Sequence, residues 1–467
     1  MDKELLWDIL TKALSHGGDF AEVFFERRES TAIAYENQKV EKINTGTDIG
    51  IGIRVIAGEA TAYLHSNDLQ KKNLLAMADL AGQIAEKKQL KDCAAFNLEK
   101  NMKANQIILP PEKVDFEQKI QLLRAADYAA RNIDKCIQQT TLSYGDIRQQ
   151  VIIANSLGKL VEDTRTRVRL SCNSIAVREG QRQTGFASAG GTCGFELFEE
   201  RSSESIGAEA SQRALTLLSA IPCPTGQMPV VMASEAGGTM VHEACGHGLE
   251  GDLVRKGLSA YAGRLGEQVA SPKITVVDDA TITGKYGSYY YDDEGHLGQK
   301  NVLIKDGILL KYMADAQTAE QMGWEATGNG RRESYRDKPV TRMSNTYIAP
   351  GTDSVEDIIA STEFGLYVKK MGGGQVNTLN GDYVFDVAEG YLIENGKITT
   401  PVQGATLAGN GPQSLMNVEM IGNDLGYAIG TCGKSGQSAP VADAQPTMKI
   451  NGLTVGGTGK PYEPKKK

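Results

Sequence analysis

The chain lacks the features that mark several common protein classes. No apolar run approaches the ~18 residues that a membrane-spanning helix needs, and the first segment, Met1 to Gly18, has no secretory-signal pattern. The seven cysteines are odd in number and irregularly spaced, which excludes a disulfide framework and implies a reducing, cytoplasmic setting. Basic residues show no excess: 50 Lys+Arg against 58 Asp+Glu give a net charge of −8. That balance argues against a nucleic-acid binder. The most conspicuous basic run, Lys465-Lys466-Lys467, reads as a solvated tail. With 14 prolines in 467 residues, no low-complexity linker is expected. Histidine is scarce, at five residues, so any two close together carry weight.

What is present suits a soluble globular protein with ample core: 40% hydrophobic and 23% charged residues. Glycine is unevenly spread. Of 52 glycines, 15 fall in residues 1–220 and 37 in residues 221–467, so the second half should be rich in tight turns and close backbone approaches.

Residues 1–221 read as an α+β domain with an antiparallel sheet. Leu5, Leu6, Ile9, Leu10 and Ala13 share one helical face. Ala21–Arg27 and Thr31–Tyr35 are β-rich runs, and Ile49, Ile51, Ile53 and Val55 alternate with period two before a hairpin into Ala60–Leu64. A helical pattern runs from Asp68 to about Gln89. Residues 90–113, with Pro110-Pro111, read as a linker. Asp115 and Gln118 resemble a capping box ahead of a helix. Strand patterns fill about 142–185, and Glu204–Leu218 is amphipathic. No catalytic motif appears in this half, and His16 and His65 read as surface or packing residues. Pro222-Cys223-Pro224 marks a boundary to a β-rich domain over 222–467. Its hairpin turns fall at Asp306-Gly307 and Asn395-Gly396. One helix, about Gly237 to His247, should lie at its centre.

That helix carries the chemistry. His242-Glu243-Ala244-Cys245-Gly246-His247 is one residue longer than the H-E-x-x-H of zinc hydrolases. On a straight helix, side chains four apart lie about 40° apart in azimuth, but side chains five apart lie about 140° apart. Both imidazoles can face one metal only if the helix kinks, bulges or ends between them. Gly246 and Gly248 permit that. A catalytic zinc site has three protein ligands and one open position. The third ligand is open among Cys432, Cys245, His296, Glu250 and Asp252. Cys245 is expected to face away, and Cys432 sits in a glycine-rich turn, Gly430-Thr431-Cys432-Gly433-Lys434-Ser435-Gly436-Gln437. Arg331, Arg332, Tyr335, Arg342 and His296 are candidates for substrate positioning or oxyanion stabilisation. The glycine-rich stretches 328–330 and 372–374 could admit an extended peptide beside a strand edge.

The second half also resembles the TldD/PmbA family of metallopeptidases, in particular its TldD-type metal-binding member. The matching blocks include VHEACGHGLEGD (241–252), VVDDATI (276–282), YDDEG (291–295), GNGRRESYRDKPVTRMSNTY (328–347), GGGQV (372–376) and GTCGKSGQ (430–437). The resemblance implies zinc (Zn2+) held by His242, His247 and Cys432, with Glu243 as general base. It implies hydrolysis of small or unfolded peptides, since the family's site is enclosed between two subunits. The partner would be a PmbA-type subunit or a second copy. A non-catalytic peptide-binding or regulatory subunit, and an amidohydrolase acting on non-peptides, are the competing readings.

Overall fold

The computed structural model describes residues 1–85, 92–100 and 107–462. The end of the pattern read as helical to Gln89, and the Lys465–Lys467 tail, lie outside the described residues. The fold is α+β.

Residues up to Leu218 build one seven-stranded sheet with helices on one face. Its strands are β1 (Phe20–Glu36), β2 (Lys39–Ala57), β3 (Ala60–Ser66), β4 (Asn97–Lys100), β5 (Ile137–Asn155), β6 (Lys159–Arg178) and β7 (Gln181–Gly191). The order is β3-β2-β1-β5-β6, and β6 pairs with both β4 and β7. All pairings are antiparallel except β4–β6. The two runs expected within β1 form a single strand of 17 residues. Helices α1 (Lys3–Ala13) and α2 (Lys71–Ile84) cover one end of the sheet, where Leu6, Ile9 and Leu10 pack on Val23, Ile51 and Ile53. Helix α3 (Phe116–Arg131) and the Ser203–Leu218 helix cover the other end, over Ile33, Leu142 and Leu170. Asp115 caps α3 as expected, its carboxylate accepting from the Gln118 N–H at 2.8 Å.

Part of the opposite face of this sheet is also buried, against the second half of the chain. Strand alternation sends Val23 to the helices and Glu22, Phe24 and Glu26 to the other side. There Arg54 donates to Glu22 and to Glu294, each at 2.7 Å, and Arg332 also donates to Glu22. Arg165 pairs with Asp293 at 2.5 Å. Gly50 and Gly52 leave room for the approach: a Cβ on Gly50 would lie 2.2 Å from the Tyr335 ring.

The second half contains a six-stranded and an eight-stranded sheet. In the six-stranded sheet Ile308–Leu309, Lys300–Lys305, Val276–Asp279, Asn345–Ile348, Gln437–Gln445 and Gly426–Lys434 lie side by side. The eight-stranded sheet centres on Phe364–Asn377, Gly226–Met232, Met448–Gly456 and Asp382–Glu394. One apolar core joins them, and residues 240–249 run through it: Met240, Val241, Ala244, Cys245 and Leu249 are buried with Val230, Leu366, Phe385, Val276 and Val441. Both predicted hairpin turns adopt positive φ at each central residue, +49° and +82° at Asp306-Gly307, +51° and +71° at Asn395-Gly396.

Breaking a buried ion pair from one side leaves an uncompensated charge, at a cost of about 3–5 kcal/mol. Arg54→Met strands Glu294 and leaves Glu22 with Arg332 alone. We expect a clearly lower urea unfolding midpoint, whereas Arg27→Met, on the exposed part of β1, should change it little.

Candidate metal centre

The five-residue spacing of the histidines is absorbed by a change of helix type. Thr239–Val241 is α-helical, His242–Gly246 is one π-turn, and His247–Leu249 is 3-10. The backbone N–H of His247 donates to the carbonyl of His242, an i→i+5 bond. It brings the two side chains onto one face, with ring centroids 4.8 Å apart and ring planes at 89°. Distorting the ladder forfeits part of a regular hydrogen bond, of order 0.5–1.5 kcal/mol. Burial of Met240, Val241 and Leu249 contributes roughly 1.5–3 kcal/mol each and outweighs it. Neighbours press on the turn from two sides. A Cβ on Gly246 would lie 2.3 Å from Met343 Sδ, and one on Gly411 would lie 2.0 Å from the Ala244 carbonyl oxygen.

The third donor comes from 185 residues further along. Cys432 stands on Gly426–Lys434, the terminal strand of the six-stranded sheet, and its Sγ lies 3.4 Å from His247 Nε2. One donor atom from each of His242, His247 and Cys432 can be chosen so that all lie within 4.8 Å of one another. A tetrahedral zinc with Zn–N near 2.05 Å and Zn–S near 2.3 Å separates nitrogen from sulfur by about 3.5 Å. The donor set and the observed nitrogen–sulfur distance fit that ion. Arg342 fixes the strand by donating to the Cys432 carbonyl, and to the Gln437 carbonyl at 3.3 Å.

Each imidazole is oriented through its other nitrogen. His242 Nδ1 lies 2.9 Å from Asp443 Oδ1, and His247 Nδ1 lies 3.0 Å from Glu250 Oε2. Carboxylates so placed hold Nδ1–H and leave Nε2 for a metal. Burial alone would push the Cys432 thiol up, but hydrogen bonds and charges of His242 and His247 outweigh it and bring it down to about 5. Burial disfavours charge on His247 too, yet Glu250 and Cys432 raise it to about 9. A divalent ion bound by these donors would take the place of protons on them. Glu243 points into the same cleft and makes no side-chain hydrogen bond among the described residues; burial raises its carboxyl above the usual range.

The cleft encloses about 740 Å³ and is lined by Thr239, Glu243, the Gly372–Gly374 segment, Ile429, Gly430 and Val441, together with the donors. All its lining residues come from the second half.

Other residues singled out in the sequence lie elsewhere. Cys245 faces the core, its Sγ 3.4 Å from the Val241 carbonyl. Asp252 binds Lys434. Arg331 donates to the Met343 and Pro440 carbonyls. Arg332 and Tyr335 belong to the contact between the two halves: Arg332 pairs with Glu22, and the Tyr335 N–H donates to Glu26 at 2.9 Å. His296 lies beside Asp292. None of these last four lines the cleft. Asp443 was missed. A signal existed: Ser435-Gly436 is a two-residue turn with φ of +54° and +76°. It sets the hairpin register, with Cys432 opposite Ala439, Gly430 opposite Val441 and Ala428 opposite Asp443. Counting along that register puts Asp443 on the face of Cys432.

Comparison with known proteins places the whole chain in one family. Three domain profiles match in order: PmbA/TldA metallopeptidase domain 1 over residues 21–85, the central domain over 109–218 and the C-terminal domain over 225–457. The chain belongs to the PmbA/TldD metallopeptidase family. A metalloprotease TldD homolog of Haemophilus influenzae is 41% identical over 449 residues, 94% of this chain and 93% of that one. A zinc metalloprotease TldD homolog of Saccharolobus solfataricus is 27% identical, over 97% and 100% of the two chains. TldE from Thermococcus kodakarensis shares the fold, with a TM-score of 0.79 at 18% identity over 97% of this chain and 100% of that one.

Within this family member, Asp443→Ala removes the support of one imidazole while sparing every donor atom. Metal affinity should fall about 10–100-fold, read by competition with a chromophoric chelator. An unchanged affinity would show that His242 needs no carboxylate.

Proposed function

We propose that this chain is a zinc peptidase of the HExxxH type that cleaves small or unfolded peptides, with His242, His247 and Cys432 as ligands and Glu243 as general base. The observation that carries the reading is the convergence of two imidazoles and one thiol, from segments far apart in sequence, at separations suited to a single zinc ion. Bound zinc supplies Lewis acidity and makes water a competent nucleophile at neutral pH. Glu243 takes the proton of the attacking water on its carboxylate and returns it to the leaving amine nitrogen. Its raised pKa suits both halves of that exchange.

A peptide substrate is supported by the cleft walls. The outer edge of Gly426–Lys434 has no strand partner among the described residues. Across the cleft, the Phe364–Asn377 strand pairs with Gly226–Met232 only at Leu366–Val368, so among the described residues Gly372–Val376 has no strand partner on that edge. Extended backbone can hydrogen-bond to such edges regardless of its side chains. The working unit in this reading is a cytoplasmic dimer, with a PmbA-type subunit or a second copy, and no nucleic acid or membrane takes part. The family fold shared with TldE is consistent with a pair of like subunits.

The test combines metal analysis with peptide cleavage followed by mass spectrometry, on the chain alone and with a co-purified partner. The expected result is one zinc per chain, activity lost on chelation and restored by zinc. Glu243→Gln should retain zinc and lose at least about 100-fold in turnover. Full activity in that variant would remove Glu243 from the mechanism. Stoichiometric zinc with no turnover under any of these conditions would leave a non-catalytic peptide-binding subunit.

A further inference from the structure

Below His247, a single lysine ties together the two segments that carry its side of the site. Lys434 is two residues beyond Cys432 on the same strand, so both side chains leave the same face. Its ammonium lies 2.6 Å from Asp252 Oδ1, 2.9 Å from Glu250 Oε2 and 2.9 Å from the Thr341 carbonyl. The contacts to Asp252 and Thr341 are hydrogen bonds, and the contact to Glu250 is an ion pair. The side chain is 8% exposed, and Glu250 is fully buried.

The decisive detail is which oxygen is shared. Glu250 Oε2 faces both His247 Nδ1, at 3.0 Å, and Lys434 Nζ, at 2.9 Å. Glu250 Oε1 is buried and has no hydrogen-bond partner among the described residues. The hold on His247 therefore passes through the one oxygen that Lys434 fixes. Without the ammonium, the carboxylate could rotate away from the imidazole, and a buried anion would lose its principal counter-charge. Cys432–His247 and Lys434–Glu250 are two rungs between the same strand and the same turn. The lower rung sets the spacing of the upper one.

We infer that Lys434 is a positioning residue for the metal centre: through Glu250 it orients His247, and by joining residues 250–252 to the Cys432 strand it holds the thiol and the imidazole at ligand distance. This rests on the zinc reading above and extends it to a residue that does not touch the ion.

Zinc affinity of the full-length chain tests the inference by chelator competition, together with the absorption spectrum of the cobalt(II) form. Lys434→Met should weaken zinc binding about 10–100-fold and alter the cobalt ligand-field bands. The same substitution combined with Glu250→Gln should recover part of that loss, because the unpaired anion is gone. A purely structural role for Lys434 would give additive losses. Should Lys434→Met fail to fold, Asp252→Asn weakens the same anchor more gently and should still reduce zinc affinity several-fold with circular dichroism unchanged. Zinc affinity within threefold of the parent and an unchanged cobalt spectrum, in whichever of the two variants folds, would overturn the inference. If the parent chain itself takes up no zinc, the zinc reading fails and this inference fails with it. If the parent binds zinc and cleaves peptide while the variants bind as tightly, the role of Lys434 alone is lost.

Discussion

A single backbone hydrogen bond, from the His247 N–H to the His242 carbonyl, governs the geometry of the site. With i→i+4 bonding throughout, the two imidazoles would point in widely different directions and the cysteine strand could meet only one of them. The i→i+5 bond adds one residue to the turn and brings both rings to the same face. Such a turn has poorer backbone geometry than a regular helix, so it persists only where its surroundings hold it. Here they do: apolar residues on either side lie in the main core, Met343 closes against Gly246, and the Gly411 backbone rests on Ala244. The distortion is localised where the site requires it and is paid for by packing elsewhere.

Around this turn the charged groups form nested layers. The donors His242, His247 and Cys432 are innermost. Asp443 and Glu250 stand behind the imidazoles, Lys434 stands behind Glu250, and Arg342 grips the cysteine strand. These groups are spread over the hairpin, the turn and the 250–252 segment, so the site is assembled only when all three have packed. A buried charge left without its counterpart would be expensive, and this favours one arrangement over near alternatives.

The first half of the chain plays another part. Among the described residues it contributes none to the cleft, yet part of its sheet is buried on both faces. Glu22, Glu26 and Arg54 meet Arg332, Tyr335 and Glu294 from the second half. Arg332 and Tyr335, read from the sequence as substrate-positioning candidates, and the family-matching block around Asp292–Gly295 thus join the halves. A conspicuous cluster of charge in a sequence looks the same whether it faces a substrate or another strand. Only its surroundings in space separate the two.

Much of this molecule is readable from its residues. Period-two and helical spacing located the main elements of the first half, because each buries one face and the pattern is local. Asp-Gly and Asn-Gly marked hairpins, since few other residues accept positive φ. The histidine spacing required a break in the helix by angle alone. What the residues could not decide was long-range. Whether Cys432 or another group faces His247, that Asp443 stands behind His242, and that Arg332 and Tyr335 do not line the cleft all depend on which strands become neighbours. That choice is made by core packing across hundreds of residues, and no local spacing encodes it.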